Sequence, residues 1–199
     1  MENTEKKTFH LLPCPSEECL YITSVNDLPE IISGNARLVV DMTRREDEAF
    51  LLDLQDVLGN RLLVPDIWQN VLQIAGILIS SSLSGGTLDT RLAEAVRTAP
   101  GRCWLRLDPL RMRFPLPCPS GTGTPLPQDM ADILIDKQIT FYSPELCCRY
   151  CYDLPKGIIL YDTEDTRSEK LRLAEKHGMN GAVMLPWTSH KFPSAQNFL

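Results

Sequence analysis

The sequence has no long hydrophobic run. Its longest apolar segment, Val71 to Ile79, is broken by Gln73 and Gly76 and ends at Ser80-Ser81-Ser82, well short of the ~18 apolar residues of a membrane span. Lys6 and Lys7 are followed only by the short stretch Phe9 to Leu12, which stops at Pro13. A signal-peptide core is therefore not expected, and a cytoplasmic location with reduced thiols is. Basic residues are not in excess: 20 Lys and Arg stand against 26 Asp and Glu, a formal net charge of −6. An acidic chain lacks the face that phosphates require, so nucleic acid is not expected as a partner, and neither is a membrane. Histidine is scarce. His10, His177 and His190 are the only three, and none is spaced so as to serve as a base for Cys118 in its Pro-Gly loop. Neither G-x-G-x-x-G nor a Walker motif occurs, so Ser84-Gly85-Gly86-Thr87 reads as a tight turn opening a helix.

What is present is an ordinary globular composition, 43% hydrophobic and 23% charged over 199 residues. That length fits a single domain over 1–199, with 188–199 expected as a loose tail. It is short for an autonomous eight-fold β/α barrel of about 250 residues. Ala36 to Asp41, Arg61 to Val64, Ile74 to Ser80 and Cys103 to Leu107 read as strands. Glu46 to Leu58 and Thr87 to Thr98 read as helices, with Phe50, Leu51, Leu54, Val57 and Leu58 at three- and four-residue spacing in the first. A short helix is expected from Asp27 to Ser33, and others at Asp66 to Leu72 and Asp129 to Ile135. Pro115 to Pro127, with five prolines and two glycines, is a loop. Arg111 to Phe114, Gln138 to Tyr142, Cys147 to Tyr152 and Gly157 to Tyr161 read as strands, with a hairpin around Leu154 to Gly157. Thr163 to His177 is a helix and Ala182 to Leu185 a last strand. The strand-helix rhythm points to parallel β/α units.

Such folds bind ligands at the carboxyl ends of their strands. Asp41 and Asp108 each follow an apolar strand, and with Glu145 they are the candidate paired carboxylates for acid-base chemistry. The alternative for an Asp at a strand end is a helix cap or a satisfied turn. Ser82, Tyr142 and Asp162 are further strand-end candidates for binding a ligand. The basic stretch of Arg102, Arg106, Arg111 and Arg113 is read as a solvated face balanced by neighbouring acids, with the binding of an anionic ligand as the alternative. Seven cysteines cannot pair completely, which fits buried free thiols. Cys14-x4-Cys19 and Cys148-x2-Cys151 leave a four-thiolate zinc as the alternative to no metal and no cofactor.

The segment Gly157-Ile-Ile-Leu-Tyr161-Asp162-Thr163-Glu164, then Lys170, then His177-Gly178-Met-Asn-Gly181-Ala182-Val183-Met184 and Trp187, resembles the end of the barrel of the family-18 glycoside hydrolases, which include chitinases and spore-cortex hydrolases. Ser80 to Gly86 is faintly similar to that family's Ser-x-Gly-Gly strand end. The resemblance implies that Trp187 is the counterpart of the aromatic floor of a sugar subsite. The family's Asp-x-x-Asp-x-Asp-x-Glu string occurs nowhere in the 199 residues, and without its Glu the general acid is missing.

The expectation is thus an α/β fold, a shortened or degenerate TIM-like β/α barrel, with an open three-layer sheet as the alternative. The expected role is non-catalytic binding of a small polar ligand or a protein partner at the strand rim. A glycoside-hydrolase-like enzyme and a zinc-stabilised interaction module are the alternatives. Exposed sheet edges make a homodimer reasonable.

Overall fold

The computed structural model describes residues 8–29, 32, 34–82, 86–127, 138–155 and 157–185. Its frame is a seven-stranded parallel sheet. In chain order the strands are β1 (His10–Pro13), β2 (Cys19–Ile22), β3 (Arg37–Val40), β4 (Leu62–Pro65), β5 (Gly76–Ser80), β6 (Cys103–Leu107) and, after an insertion, β12 (Gly181–Met184). Their spatial order is β1-β12-β6-β5-β4-β3-β2, and every neighbouring pair is parallel. The two ends of the sheet, β1 and β2, are consecutive in the chain, so the sheet curls to within one link of closing into a barrel.

The side chains show that curl directly. Along a strand, successive residues face opposite sides. Leu12, Cys19, Val39, Leu63, Leu78, Trp104 and Val183, one from each of the seven strands, meet with Cys14 in a single buried cluster. That cluster is the lumen. Their neighbours Leu38, Val40, Leu62, Val64, Ile77, Ile79, Leu105, Leu107 and Ala182 form a second cluster, which packs outward on the helices. Strands buried on both faces must be apolar throughout, which is why Leu38-Val39-Val40, Leu62-Leu63-Val64 and Ile77-Leu78-Ile79 read as unbroken runs.

Helices cover the outside. α1 (Glu48–Leu58) buries Leu51, Leu54, Gln55 and Leu58, and Gly59 at φ 57° stops it. Gln55 was not expected inside; its carbonyl oxygen accepts from the backbone NH groups of Ile74 and Ala75. Val57, expected inward, is 76% exposed. α2 (Leu88–Thr98) buries Leu88 and Leu92, and Thr87 caps it by accepting from the Thr90 NH. α3 (Glu164–Lys176) buries Thr166, Lys170 and Ala174. A single 3-10 turn at Asp66–Trp68 stands where the helix of 66–72 was expected. Another, Val25–Asp27, ends where the helix to Ser33 was expected to begin; Leu28 is extended, and residues 30, 31 and 33 lie outside the described residues. The helix expected at 129–135 and the tail from 188 lie outside the described residues.

The parallel rhythm does not run through the whole chain. Between β6 and α3 lies a five-stranded antiparallel sheet, ordered β8-β7-β11-β10-β9. Its strands are β7 (Arg111–Phe114), β8 (Thr124–Pro125), β9 (Thr140–Ser143), β10 (Cys148–Asp153) and β11 (Gly157–Tyr161). β10 and β11 form the hairpin expected around 154–157. Two strands separated by three residues, with no room for a crossover helix, can pair only antiparallel.

Candidate functional site at the barrel mouth

Extending the inward-facing positions past the lumen cluster leads to the carboxyl-end mouth. Two residues beyond Val39 is Asp41; beyond Leu78, Ser80; beyond Trp104, Arg106 and then Asp108; beyond Cys19, Tyr21. The structure gathers these five polar side chains into one network. Arg106 donates from Nη1 to Asp41 Oδ1 at 2.8 Å and from Nε to Asp108 Oδ1 at 2.7 Å. The Tyr21 hydroxyl donates to Asp41 Oδ2 at 2.8 Å, and Ser80 Oγ donates to Asp108 Oδ2 at 3.3 Å. Side-chain exposure is 14% for Arg106, 5% for Asp41 and 9% for Asp108.

Two carboxyl groups therefore share one guanidinium in a mostly dry setting. Burial pushes the Asp108 carboxyl upward, Arg106 offsets part of that rise, and Asp41 adds to it. Burial pulls Arg106 down, but the charges of Asp108 and Asp41 outweigh it and hold the guanidinium above its ordinary value. Burial and the Asp41 charge also raise the Tyr21 phenol, so at neutral pH it is a hydroxyl donor. Because both acids contact one guanidinium, they lie within the ~10 Å used by paired-acid mechanisms.

Of the residues singled out from sequence, Asp41 and Asp108 are brought together. Ser82 joins them at one remove, its NH donating to Ser80 Oγ at 3.2 Å. The Ser81 and Ser82 hydroxyls are buried with no hydrogen-bond partner among the described residues. Glu145 lies elsewhere, exposed in the β9–β10 turn, where its side chain accepts from Ser143 and its carbonyl from the Leu88 NH. Tyr142 is a half-exposed residue of β9 beside Cys147. Asp162 sits at the neck of the antiparallel sheet. It accepts from the Leu110 NH, the Thr166 hydroxyl and Lys170 Nζ, the last at 2.8 Å with both side chains fully buried. Its own NH donates to Leu110 O, so this residue ties the start of the insertion to its end. Trp187 lies outside the described residues.

The four cysteines weighed as zinc ligands are not gathered. Cys14 and Cys19 line the barrel lumen. Cys148 packs with Leu110, Phe114 and Leu160, whereas Cys151 packs with Leu126, Ile159 and Tyr161 on the opposite face. A spacing of three puts two residues on opposite faces of a strand, so the C-x2-C spacing cannot form a pair of ligands here. Among the described residues no cluster of three or more His, Cys, Asp or Glu side chains is placed to hold a metal, and no helix is long and apolar enough to cross a membrane.

Arg106 is the residue that sequence reading misplaced. It was taken as part of a solvated basic face, with Arg102, Arg111 and Arg113. The available signal was its position: it lies between Leu105 and Leu107, both buried outward, on the same inward register as Trp104. Arg113 does pair with an acid, Asp153, at 2.7 Å. Arg102 donates instead to the carbonyls of Leu72, Ala75 and Gln69.

No family model matches the sequence, and no curated protein matches it. Solved structures do resemble the fold. The spore cortex-lytic enzyme SleL of Bacillus megaterium QM B1551 superposes with a TM-score of 0.51 at 13% identity, over 75% of this chain and 45% of that one. A family-18 chitinase from Cycas revoluta in complex with (GlcNAc)3 gives 0.50 at 11% identity, over 76% of this chain and 63% of that one. The chain thus spans between about two-fifths and two-thirds of the length of these relatives in fold. At such identity the likeness concerns the fold alone: an α/β barrel, one strand short of eight among the described residues.

Proposed function

We propose that this chain is a degenerate chitinase-like barrel that binds a small hydroxyl-rich ligand at its carboxyl-end mouth without hydrolysing it. The observation that carries this reading is the sharing of Arg106 by Asp41 and Asp108. Glycoside hydrolysis needs one carboxylic acid that delivers a proton to the leaving oxygen. Both oxygens of Asp108 are already engaged, Oδ1 by the Arg106 guanidinium at 2.7 Å and Oδ2 by the Ser80 hydroxyl, so neither is free to present a proton to a leaving oxygen. Asp41 is engaged in the same way, by Arg106 and by Tyr21. The network is better suited to receiving hydrogen bonds from ligand hydroxyls, with the Ser82 hydroxyl, which has no hydrogen-bond partner among the described residues, two positions beyond Ser80. The fold likeness to a chitinase crystallised with (GlcNAc)3 supports a sugar-like ligand. The odd cysteine count and the burial of six of the seven thiols support a reducing, cytoplasmic setting.

A hydrolase remains the second reading. It is favoured by the upward shift of Asp108, whose burial resists ionisation. Calorimetric titration with (GlcNAc)3, followed by chromatography of the incubated mixture, separates the two. Binding that weakens on Asp41→Asn with no cleavage products supports the proposal. Cleavage products that disappear on Asp108→Asn establish the enzyme instead. Absence of binding to (GlcNAc)3 and to shorter neutral sugars overturns the ligand class.

A further inference from the structure

The opposite end of the barrel carries a separate cavity. It has a volume of about 410 Å³ and is lined by Thr8, His10, Arg37, Arg102, Trp104 and Asn180, together with Asn60, Ile74, Gly76 and Gly101. These residues sit at or just before strand starts, so the cavity opens at the amino-end face. In β/α barrels that face normally serves stability, and a charged concavity there calls for a different explanation.

Its chemistry is one-sided. Among the described residues that line it there is no Asp or Glu. Arg37 lies 4.4 Å above the centre of the Trp104 ring and makes one hydrogen bond, from Nη1 to Asn60 O. Burial lowers its affinity for its proton. Arg102 contacts only the backbone carbonyls of residues 69, 72 and 75. Among the described residues neither guanidinium faces a carboxylate, in a protein of net charge −6 where Arg44, Arg91, Arg106, Arg113, Arg167 and Arg172 all do. His10 stacks on the same Trp104 ring at 6.2 Å. The floor is close-packed: a Cβ on Gly181 would collide with the His10 carbonyl oxygen, and one on Gly76 with the Leu63 side chain and, at 3.1 Å, with Trp104.

We propose that this amino-end cavity is a binding site for a small organic anion, a phosphate- or carboxylate-bearing molecule, held by the Arg37 guanidinium fork, with Arg102 adding positive charge and a His10 ring nitrogen offering a further hydrogen bond. A planar guanidinium immobilised on an aromatic face loses little freedom when it pairs bidentately with an oxyanion. The volume lies in the range of small-ligand pockets and exceeds what a bare inorganic ion fills. The site is independent of the mouth, whose single arginine is already matched by two acids.

The test is a titration of the full chain with inorganic phosphate and, separately, with citrate, following tryptophan fluorescence and repeated at two salt concentrations. Saturable binding of either, weakened by salt and weakened about tenfold or more by Arg37→Gln, is the expected result. Phosphate binding alone identifies a phosphorylated ligand; citrate binding alone identifies a carboxylate. Because Arg37 also packs on Trp104, His10→Gln serves as a second variant, with thermal melts to show that both fold, and it too must weaken binding. Arg44→Gln, at an exposed arginine that does not line the cavity, must leave anion affinity unchanged. Failure of both anions to saturate, or equal affinity in folded Arg37→Gln and His10→Gln proteins, overturns the proposal. A loss of affinity in Arg44→Gln as large as that in Arg37→Gln shows general charge attraction and also overturns it.

Discussion

Replacing Arg106 with Met removes the one cation that holds Asp41 and Asp108 and leaves both carboxylates in a site where side-chain exposure is 5% and 9%. Breaking a buried pair by deleting one partner costs roughly 3–5 kcal/mol, because the remaining charge stays desolvated. Here two acids lose their partner, so Arg106→Met belongs at the upper end of that range at neutral pH. The pH dependence has a definite sign. Burial raises the Asp108 carboxyl above its unfolded value even with Arg106 present, so its protonated form favours the folded state. That contribution is complete below the ordinary carboxylate range and is lost as pH rises through the elevated folded value. Without Arg106 the elevation grows, and the cost of the substitution shrinks as the pH falls toward about 4. Removing the acids as well, in Arg106→Met with Asp41→Asn and Asp108→Asn, recovers most of the loss. Urea denaturation followed by circular dichroism at neutral and acid pH measures each term. A cost below about 1 kcal/mol at neutral pH, as for an exposed ion pair, or a cost that grows on acidification, would refute the reasoning.

Four further outcomes follow from particular contacts. Lys170→Met strands the fully buried Asp162 carboxylate at the neck of the antiparallel sheet and costs roughly 3–5 kcal/mol in urea denaturation, much of it restored by adding Asp162→Asn. Gly181→Ala drives a methyl group into the His10 carbonyl and Trp104 and lowers stability by at least the ~1–3 kcal/mol typical of overpacking, measured in the same way. Val57→Lys, on the solvent side of α1, changes stability by no more than about 0.5 kcal/mol. Peptide mapping after brief thiol labelling near pH 8 finds Cys118 modified first. Cys148, whose thiol burial pushes up to about 12, is labelled only on unfolding.

Much of the barrel was legible because doubly buried parallel strands are apolar along their whole length. β6, β7 and β11 match the ranges read from sequence residue for residue, and α1 and α3 follow from apolar spacing and from the Gly59 and His177-Gly178 stops. The antiparallel sheet was harder. Its strands were visible, but a parallel and an antiparallel pair share the same local alternation, and only the length of the connection separates them. The mouth was half legible. Asp41 and Asp108 could be placed at strand ends, but the residue joining them is 65 positions from Asp41, and its one local cue is its alternation with the apolar Leu105 and Leu107. Trp104 was missed as the base of the lumen for the same reason: β6 is apolar on both faces, and only the neighbouring Gly76 and Gly181 make room for an indole. The two cysteine pairs looked like ligand sets in the linear sequence, yet β10 turns Cys148 and Cys151 to opposite faces.

The proposed binding role rests on Arg106 holding both carboxyl groups at the barrel mouth. The most direct measurement is chromatographic analysis of (GlcNAc)3 after prolonged incubation with the protein, alongside its calorimetric affinity. The account predicts saturable binding that depends on Asp41, with the oligosaccharide recovered intact. Release of shorter sugars by the wild-type protein, abolished by Asp108→Asn, would contradict it.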